Sequence, residues 1–170
     1  MTPPGPRLFV EHIARNLVPG RALDLACGAG RNALWLAGLG WQVTAVDSSA
    51  TAIAALRQAN PAIETRVADL EKHEFAIQES AWDLIVVSYY LQRDLFPSIL
   101  RGLKPGGVAI LILHMFEPGH EASRFSVQPG ELLRCFTGET VLEYREGKPE
   151  NDAGGRAVAQ IAIRRHSSAL

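Results

Sequence analysis

The sequence has few cysteines and no long hydrophobic run. Cys27 and Cys135 are its two cysteines, which gives no disulfide framework and no metal-binding spacing, and both suit a reducing compartment. No apolar run approaches the ~20 residues needed to span a bilayer. Residues 1–6 lack the charged-then-apolar pattern of a signal peptide. We therefore expect a cytoplasmic protein without membrane partners.

An excess of charge of either sign is also missing. The chain has 17 Lys and Arg against 18 Asp and Glu, for a net charge of −1. No overall field would attract nucleic acid or an anionic membrane, so we expect no nucleic-acid partner. Its 170 residues suffice for one domain with a substantial core, but not for two of comparable size.

A glycine turn organises the chain. An apolar run over 22–26, interrupted by Asp24, leads into Gly28 and Gly30, and a helical pattern follows over 31–39. This order predicts strand, tight turn and helix, and glycines there let a ligand approach the backbone. Asp47 ends a second apolar run nineteen residues after Gly28, a spacing suited to binding ribose hydroxyls. The pattern predicts a nucleoside-containing cofactor.

Strand and helix patterns alternate along the chain. They predict a doubly wound parallel sheet, closed by an antiparallel hairpin because no helix fits between its last two strands. A first helix, begun at Leu8 and stopped by Pro19-Gly20, could simply pack on the sheet, or its start could line the cleft. Predicted strands are 22–26, 42–46, 63–67, 82–88, 108–113, 140–145 and 157–163, and the later helices are 31–39, 50–59, 95–103 and 130–136.

Glycine spacing alone does not identify the cofactor. Gly28-x-Gly30-x-x-Ala33 also fits a relaxed dinucleotide fingerprint. A nicotinamide-nucleotide-binding regulatory domain is therefore an alternative, but it predicts no role for Asp69 and no antiparallel last strand. Titration with both cofactors would separate the two.

Four motifs favour another family. Leu-Asp-Leu-Ala-Cys-Gly-Ala-Gly-Arg-Asn, Val-Thr-Ala-Val-Asp-Ser, Ala-Asp-Leu and Leu-Lys-Pro-Gly-Gly-Val together resemble a class I S-adenosylmethionine-dependent methyltransferase. The Gly-Arg-Asn turn is similar to the small tellurite-resistance and thiopurine branch. The resemblance implies a Rossmann-like seven-stranded sheet, mostly parallel with an antiparallel last strand. It implies one domain over 1–170, with an N-terminal helix (1–20), a cofactor-binding core (21–113), and an acceptor-side loop and closing hairpin (114–170).

The resemblance also implies roles for individual residues. The turn from Ala26 to Gly30 would contact the methionine portion of S-adenosylmethionine, and Asp47 would hold its ribose. Asp69 would accept from the adenine amino group, and Arg31 could meet the methionine carboxylate. The demethylated product would be S-adenosylhomocysteine. The residues expected to bind the cofactor are Asp24, Ala26, Cys27, Gly28, Gly30, Arg31, Asn32, Asp47, Ser48, Asp69, Leu70, Ser88 and Tyr89.

The acceptor side is less defined, and no catalytic residue stands out. Tyr89, Tyr90 and His114 follow predicted strands and are the candidates. Ser88-Tyr89-Tyr90-Leu91 departs from the Asn or Asp, two prolines and an aromatic of many amino-group methyltransferases, which favours a small-molecule acceptor. Arg93 could bind an anion, but a structural role is favoured. His114 and His120 make no convincing metal site, so we expect no metal.

What closes the site is left open by the sequence. The N-terminal helix, the loop over 117–129 or a second subunit of a homodimer could form the lid. A further alternative is a protein that binds the cofactor but has lost catalysis and acts by interaction. Such a protein would show no turnover with any acceptor.

Overall fold

Seven strands form one sheet in the computed structural model, which describes residues 7–119, 124–149 and 155–167. The strand order is β3-β2-β1-β4-β5-β7-β6. The pairs among the first five strands are parallel, whereas β7 runs antiparallel to β5 and β6. The predicted doubly wound sheet with an antiparallel last strand is confirmed. The strands are β1 (Arg21–Leu25), β2 (Gln42–Asp47), β3 (Glu64–Val67), β4 (Trp82–Ser88), β5 (Leu103–His114), β6 (Thr140–Gly147) and β7 (Val158–Arg164).

Helices cover both faces of this sheet. One apolar cluster joins the buried sides of α1, α2 and α3 to one face. A second cluster joins α4 and α5 to the other face. Central strands are therefore buried on both sides, which explains the continuous apolar runs of β4 and β5. The helices are α1 (Leu8–Ala14), α2 (Arg31–Gly38), α3 (Ala50–Ala59), α4 (Phe96–Gly102) and α5 (Glu131–Cys135).

Most element boundaries differ from the sequence prediction by one or two residues, and the differences at α4 and β5 have a physical cause. The predicted helix over 95–103 begins at Phe96, after a 3-10 turn at Arg93–Leu95, because Pro97 favours the first turn of a helix. β5 begins at Leu103 rather than 108, since Leu103 already pairs with Trp82 across an irregularity in the ladder. A Cβ at Gly107 would lie 2.9 Å from the Trp82 carbonyl oxygen, so glycine permits this close approach.

The reversal of strand order lies between β1 and β4. β2 and β3 extend to one side of β1, and β4 and β5 to the other. Ligands of open α/β sheets bind outside the carboxyl ends of the strands at such a point. Among the described residues, no helix is both long and apolar enough to cross a membrane.

Candidate functional site

Two adjoining cavities lie at the carboxyl ends of β1, β2 and β4. The turn cavity, of about 450 Å³, contains Asp24, the turn after β1, Ser88 and Tyr89. The acidic cavity, of about 230 Å³, contains Asp47, Ser48 and the segment 68–71. Ala26 lines both. Every residue predicted to bind the cofactor lines one of the two cavities, so the fold brings these residues to a single edge.

The two turn glycines have different tasks. Both adopt left-handed backbone, with φ of 55° at Gly28 and 79° at Gly30, which suits glycine. A Cβ on Gly30 would lie 2.6 Å from Cδ1 of Leu56, so Gly30 lets α2 pack against α3. A Cβ on Gly28 would meet nothing within 4 Å and would enter the turn cavity. Gly28 therefore leaves space for a ligand.

Asp47 holds the turn in place. Its Oδ2 accepts a hydrogen bond from the Gly28 N–H at 2.8 Å, and its Oδ1 accepts one from the Ser49 N–H at 2.8 Å. A carboxylate oxygen has more than one acceptor site, so both oxygens can also accept from ligand hydroxyls. Ser49 caps α3 through its side chain, which leaves Ser48 beside Asp47 in the acidic cavity.

Asp24 is a buried carboxyl with an unsatisfied oxygen. It is 1% exposed, and its Oδ2 has no hydrogen-bond partner within the described part of the chain. Burial raises its pKa to about 7. The hydrogen bond from the Ala33 N–H opposes this rise, and the nearby charge of Asp47 adds to it. Buried polar atoms are rarely left unsatisfied. Asp24 thus gives the turn cavity a site for a cationic group.

Cys27 is not placed for chemistry. Burial, followed by the charges of Asp24 and Asp47, raises the pKa of its thiol well above the ordinary value. A thiol that stays protonated is a poor nucleophile. Cys27 lines the turn cavity through its position in the turn.

The structure separates the two candidate tyrosines. Tyr90 lines the acidic cavity, and its hydroxyl donates to Oε1 of Gln92 at 2.7 Å. Gln92 in turn donates to the Leu70 carbonyl. Burial, followed by the charges of Glu71 and Asp69, raises the pKa of Tyr90 to about 12, so its hydroxyl stays neutral. Tyr90 therefore lies in the same cavity as Asp69 and Leu70, the residues predicted to bind adenine.

Tyr89 lies at the other cavity. Its φ is 59°, a strained conformation for an aromatic residue and one found mostly at functional sites. Its N–H donates to the Ile112 carbonyl at 2.6 Å, which ties the end of β4 to β5. The His114 ring packs on Tyr89 with centroids 4.7 Å apart. His114 itself lines neither described cavity.

Asn32 joins three segments of the chain. Its Nδ2 donates to Oγ of Ser88 at 3.1 Å, and its Oδ1 accepts from the Arg7 N–H at 3.0 Å. Arg7 also lines the turn cavity but was missed by the sequence analysis. No motif surrounds Arg7, and only the packing of α1 brings it to the turn. Thus α1 packs on the sheet and the residue before it lines the cleft.

Asp69 makes three polar contacts at the acidic cavity. Its Oδ1 accepts from the Glu71 N–H at 3.0 Å, and its own N–H donates to Oε2 of Glu74 at 2.9 Å. Lys72 lies 3.3 Å from Oδ2. These contacts fix the carboxylate at the end of β3.

Arg93 has the structural role favoured from the sequence. It binds Glu131 at 2.6 Å and the carbonyls of Arg124 and Ser126. Asp94 lies 3.6 Å from His73. Within 7–119, 124–149 and 155–167, no three His, Cys, Asp or Glu side chains are grouped to hold a metal. His120 lies outside the described residues.

Comparison with known proteins identifies the family. Residues 9–164 match the family described as "Tellurite resistance protein TehB". The chain belongs to the TehB family. It is 32% identical over 155 residues to "Probable S-adenosyl-L-methionine-dependent methyltransferase TehB" of Haemophilus influenzae, a match that covers 83% of this chain and 53% of the relative. It is 29% identical over 164 residues to "Hemagglutinin 1" of Eikenella corrodens, covering 88% and 54%.

A solved TehB structure has the same fold. The crystal structure of TehB from Haemophilus influenzae superposes with a TM-score of 0.77 and 28% identity, covering 94% of this chain and 62% of that one. The chain spans about half the length of the curated relatives it matches. These matches confirm the methyltransferase family and the TehB branch predicted from the turn motif.

Proposed function

We propose that this chain binds S-adenosylmethionine and transfers its methyl group to a small-molecule acceptor. The observation that carries the proposal is the buried, unsatisfied Asp24 oxygen in a cavity joined through Ala26 to a second, acidic cavity. Asp24 suits a cationic group, and the carboxylates of the acidic cavity suit hydroxyl and amino groups that donate hydrogen bonds. A ligand that joins an amino acid to a nucleoside carries both kinds of group. The relatives named as methyltransferases support the same cofactor.

The residues present fit this cofactor at both ends. Asp24 would hold its ammonium group, and the open face of Gly28 would admit its chain. Asp47 would accept from the ribose hydroxyls, with Ser48 beside it. Asp69 and the Leu70 backbone would hold the adenine at the end of β3.

Methyl transfer needs alignment more than proton chemistry. Bound S-adenosylmethionine supplies an electrophilic sulfonium methyl. Ser88 ends β4 beside the turn, and Tyr89 follows it. Both line the turn cavity and would orient the acceptor, and the Tyr89 ring would exclude water from one side. Alignment of this kind contributes up to ~7–11 kcal/mol. A soft or already ionised acceptor needs no general base.

A small acceptor agrees with the charge and with the end of β4. The net charge of −1 offers no attraction to nucleic acid. Ser88 and Tyr89 replace the acidic or amide residue and proline of many amino-group methyltransferases. The family description names tellurite resistance, so small oxyanions belong in the acceptor panel beside thiols and hydroxyl compounds.

The lid and the oligomeric state are parts of the same proposal. The segment 124–129 returns to β5, where the Val127 N–H donates to the His114 carbonyl and the Phe116 N–H donates to the Val127 carbonyl. We propose that this segment covers the acceptor side. A homodimer would add a second subunit there, and size measurement in solution would detect it.

The decisive test is calorimetric titration with S-adenosylmethionine, S-adenosylhomocysteine and NAD in parallel. We expect the first two to bind and NAD not to bind. Binding of NAD alone would instead support a nicotinamide-dependent regulatory domain. Turnover on an acceptor panel is then measured by formation of S-adenosylhomocysteine. Cofactor binding with no turnover on any acceptor would favour a protein that acts by interaction.

A further inference from the structure

Arg7 is held at the turn cavity by three independent features. Its N–H donates to Oδ1 of Asn32 at 3.0 Å. Its guanidinium carbon lies 4.3 Å from the centroid of the Tyr89 ring, within the range of a cation–π contact. The helix α1 that follows is anchored in the core by Phe9 and Val10. The backbone of Arg7 is thereby held beside the turn, and its side chain rests on the Tyr89 ring.

The hydrogen-bond donors of this guanidinium are available to a ligand. Over the described ranges, the Arg7 side chain makes no hydrogen bond or ion pair, and its guanidinium carbon lies over the Tyr89 ring. A guanidinium carries five N–H donors in a planar fork that matches a carboxylate. These donors point outward in the plane of the guanidinium, where a ligand carboxylate can bind them.

The charges of the turn cavity match a zwitterion. Arg7 and Arg31 line it together with the buried carboxyl of Asp24. An α-amino acid carries one ammonium and one carboxylate, so Asp24 suits the first and an arginine suits the second. Both arginines line the cavity, but Arg7 is oriented by the Tyr89 ring and by its backbone bond to Asn32. A cation held in place loses less conformational entropy on binding.

We propose that Arg7 binds the α-carboxylate of the methyl donor. The inference rests on the proposed function, because it assigns one end of the same cofactor. The stacking on Tyr89 gives this contact a second consequence. Tyr89 ends β4 on the acceptor side, so binding of the carboxylate by Arg7 also restrains the wall that the acceptor meets.

The test compares two ligands that differ only at the carboxylate. S-adenosylmethionine and its decarboxylated form, in which hydrogen replaces the α-carboxylate, are titrated calorimetrically into the wild-type chain and into Arg7→Gln. A charge-assisted bidentate pair leads us to expect that the wild type prefers the carboxylate form by roughly 10- to 100-fold. In Arg7→Gln that preference should fall close to one, with affinity for the decarboxylated form unchanged.

Two further variants test the geometry of the guanidinium and provide a control. Arg7→Lys keeps the charge but loses the planar fork, so it should restore part of the preference. Arg15→Gln removes another arginine attached to α1, which pairs with Glu11 and stacks over Trp35, and it should behave as the wild type with both ligands. Unchanged binding of the decarboxylated form by Arg7→Gln also shows that this variant is folded.

The possible outcomes distinguish the role of Arg7 from the proposed binding of S-adenosylmethionine. An undiminished preference in Arg7→Gln would overturn the role of Arg7 while leaving the cofactor intact. Equal weakening of both ligands would also overturn it, since Arg7 would then shape the whole cavity. Failure of the wild type to bind S-adenosylmethionine at all would reject the proposed function, and this inference with it.

Discussion

At the scale of single residues, Asp47 has a structural role that the sequence did not predict. Its two hydrogen bonds from backbone N–H groups order the turn, and its free acceptor sites face the acidic cavity. Asp47→Ala should therefore weaken S-adenosylhomocysteine binding at least about tenfold and also cost about 1–3 kcal/mol of stability. The domain should stay folded because β2 and its neighbours keep their ladder. Calorimetry and thermal unfolding measure the two effects.

Asp94 offers a control for Asp47. It is an exposed carboxylate outside both cavities, within ion-pair distance of His73. Asp94→Ala should leave affinity and melting temperature nearly unchanged. If Asp47→Ala binds the product as tightly as the wild type does, the ribose assignment is wrong.

Gly28 and Gly40 allow a matched test of the open turn. Both have positive φ, 55° and 92°, and an added Cβ meets nothing within 4 Å at either position. Valine at either site carries a similar backbone strain of roughly 1–2 kcal/mol. Only Gly28→Val places the side chain in the turn cavity, so it should abolish S-adenosylhomocysteine binding while Gly40→Val retains it. Equal binding by both folded variants would contradict a ligand at Gly28.

Asp24 makes stability depend on pH. Its pKa of about 7 exceeds the ordinary value of 3.8, so the folded protein holds more protons than the unfolded chain between those two values. The contribution of Asp24 to stability should therefore fall as pH rises from about 4 to about 7 and then level off, by at most about 4 kcal/mol. Asp24→Asn removes this dependence, because an amide does not titrate.

Denaturant unfolding at pH 5, 6, 7 and 8 measures this difference. We expect the stability of Asp24→Asn relative to wild type to grow with pH, while its affinity for S-adenosylhomocysteine is lost. Parallel pH profiles for the two proteins would show that Asp24 is not a buried carboxyl that charges near neutrality.

At the scale of elements, one ion pair connects the segment 124–131 to the 3-10 turn that follows β4. Arg93 binds Glu131 through two nitrogens at 2.6 and 3.2 Å and also binds two backbone carbonyls in 124–126. Partial burial alone would raise the pKa of Glu131, but bonds from Arg93 and from the Gln128 N–H hold it below its ordinary value. The tie therefore persists at neutral pH.

Removing the Arg93–Glu131 ion pair should increase local opening of the segment 126–131 with little effect on global stability. Partly exposed ion pairs contribute about 1 kcal/mol or less to global stability, but local opening depends on few contacts. Arg93→Gln should speed amide hydrogen exchange at 126–131 severalfold with little change in melting temperature. Arg101→Gln, which removes a more exposed pair with Glu79, should leave exchange at 126–131 unchanged. Unaltered exchange in Arg93→Gln would show that other contacts hold the segment.

At the scale of the whole molecule, ligand binding should stabilise the sheet as one unit. Together the two cavities draw residues from the ends of β1, β2 and β4 and from the segments that follow β1 to β4. A ligand there therefore binds only the folded chain. At a concentration 100-fold above the dissociation constant, S-adenosylhomocysteine should add about 2.7 kcal/mol and raise the melting temperature by roughly 5–10 °C. NAD should not change the melting temperature measurably. The melting temperature of Gly28→Val should not respond to either ligand. A shift with NAD alone would favour the nicotinamide alternative.

The sequence by itself determined the features that depend on local order. Turn glycines, apolar runs and carboxylates at strand ends are encoded within a few residues of one another, and parallel strands bring their carboxyl ends to one edge. This is why the sheet, the TehB branch and the residues expected to bind the cofactor at the strand ends were predictable from the sequence. The closing hairpin followed from the absence of a helix between its strands.

The tertiary structure decided what depends on packing between distant segments. Arg7 reaches the turn only because α1 packs on the sheet, and Arg93 meets Glu131 across 38 positions of sequence. Gly28 and Gly30 look alike in the sequence, yet Leu56 of another helix stands against one of them. Burial left Asp24 with an unsatisfied oxygen. None of these contacts has a local pattern, because each arises from where the completed fold brings two segments together.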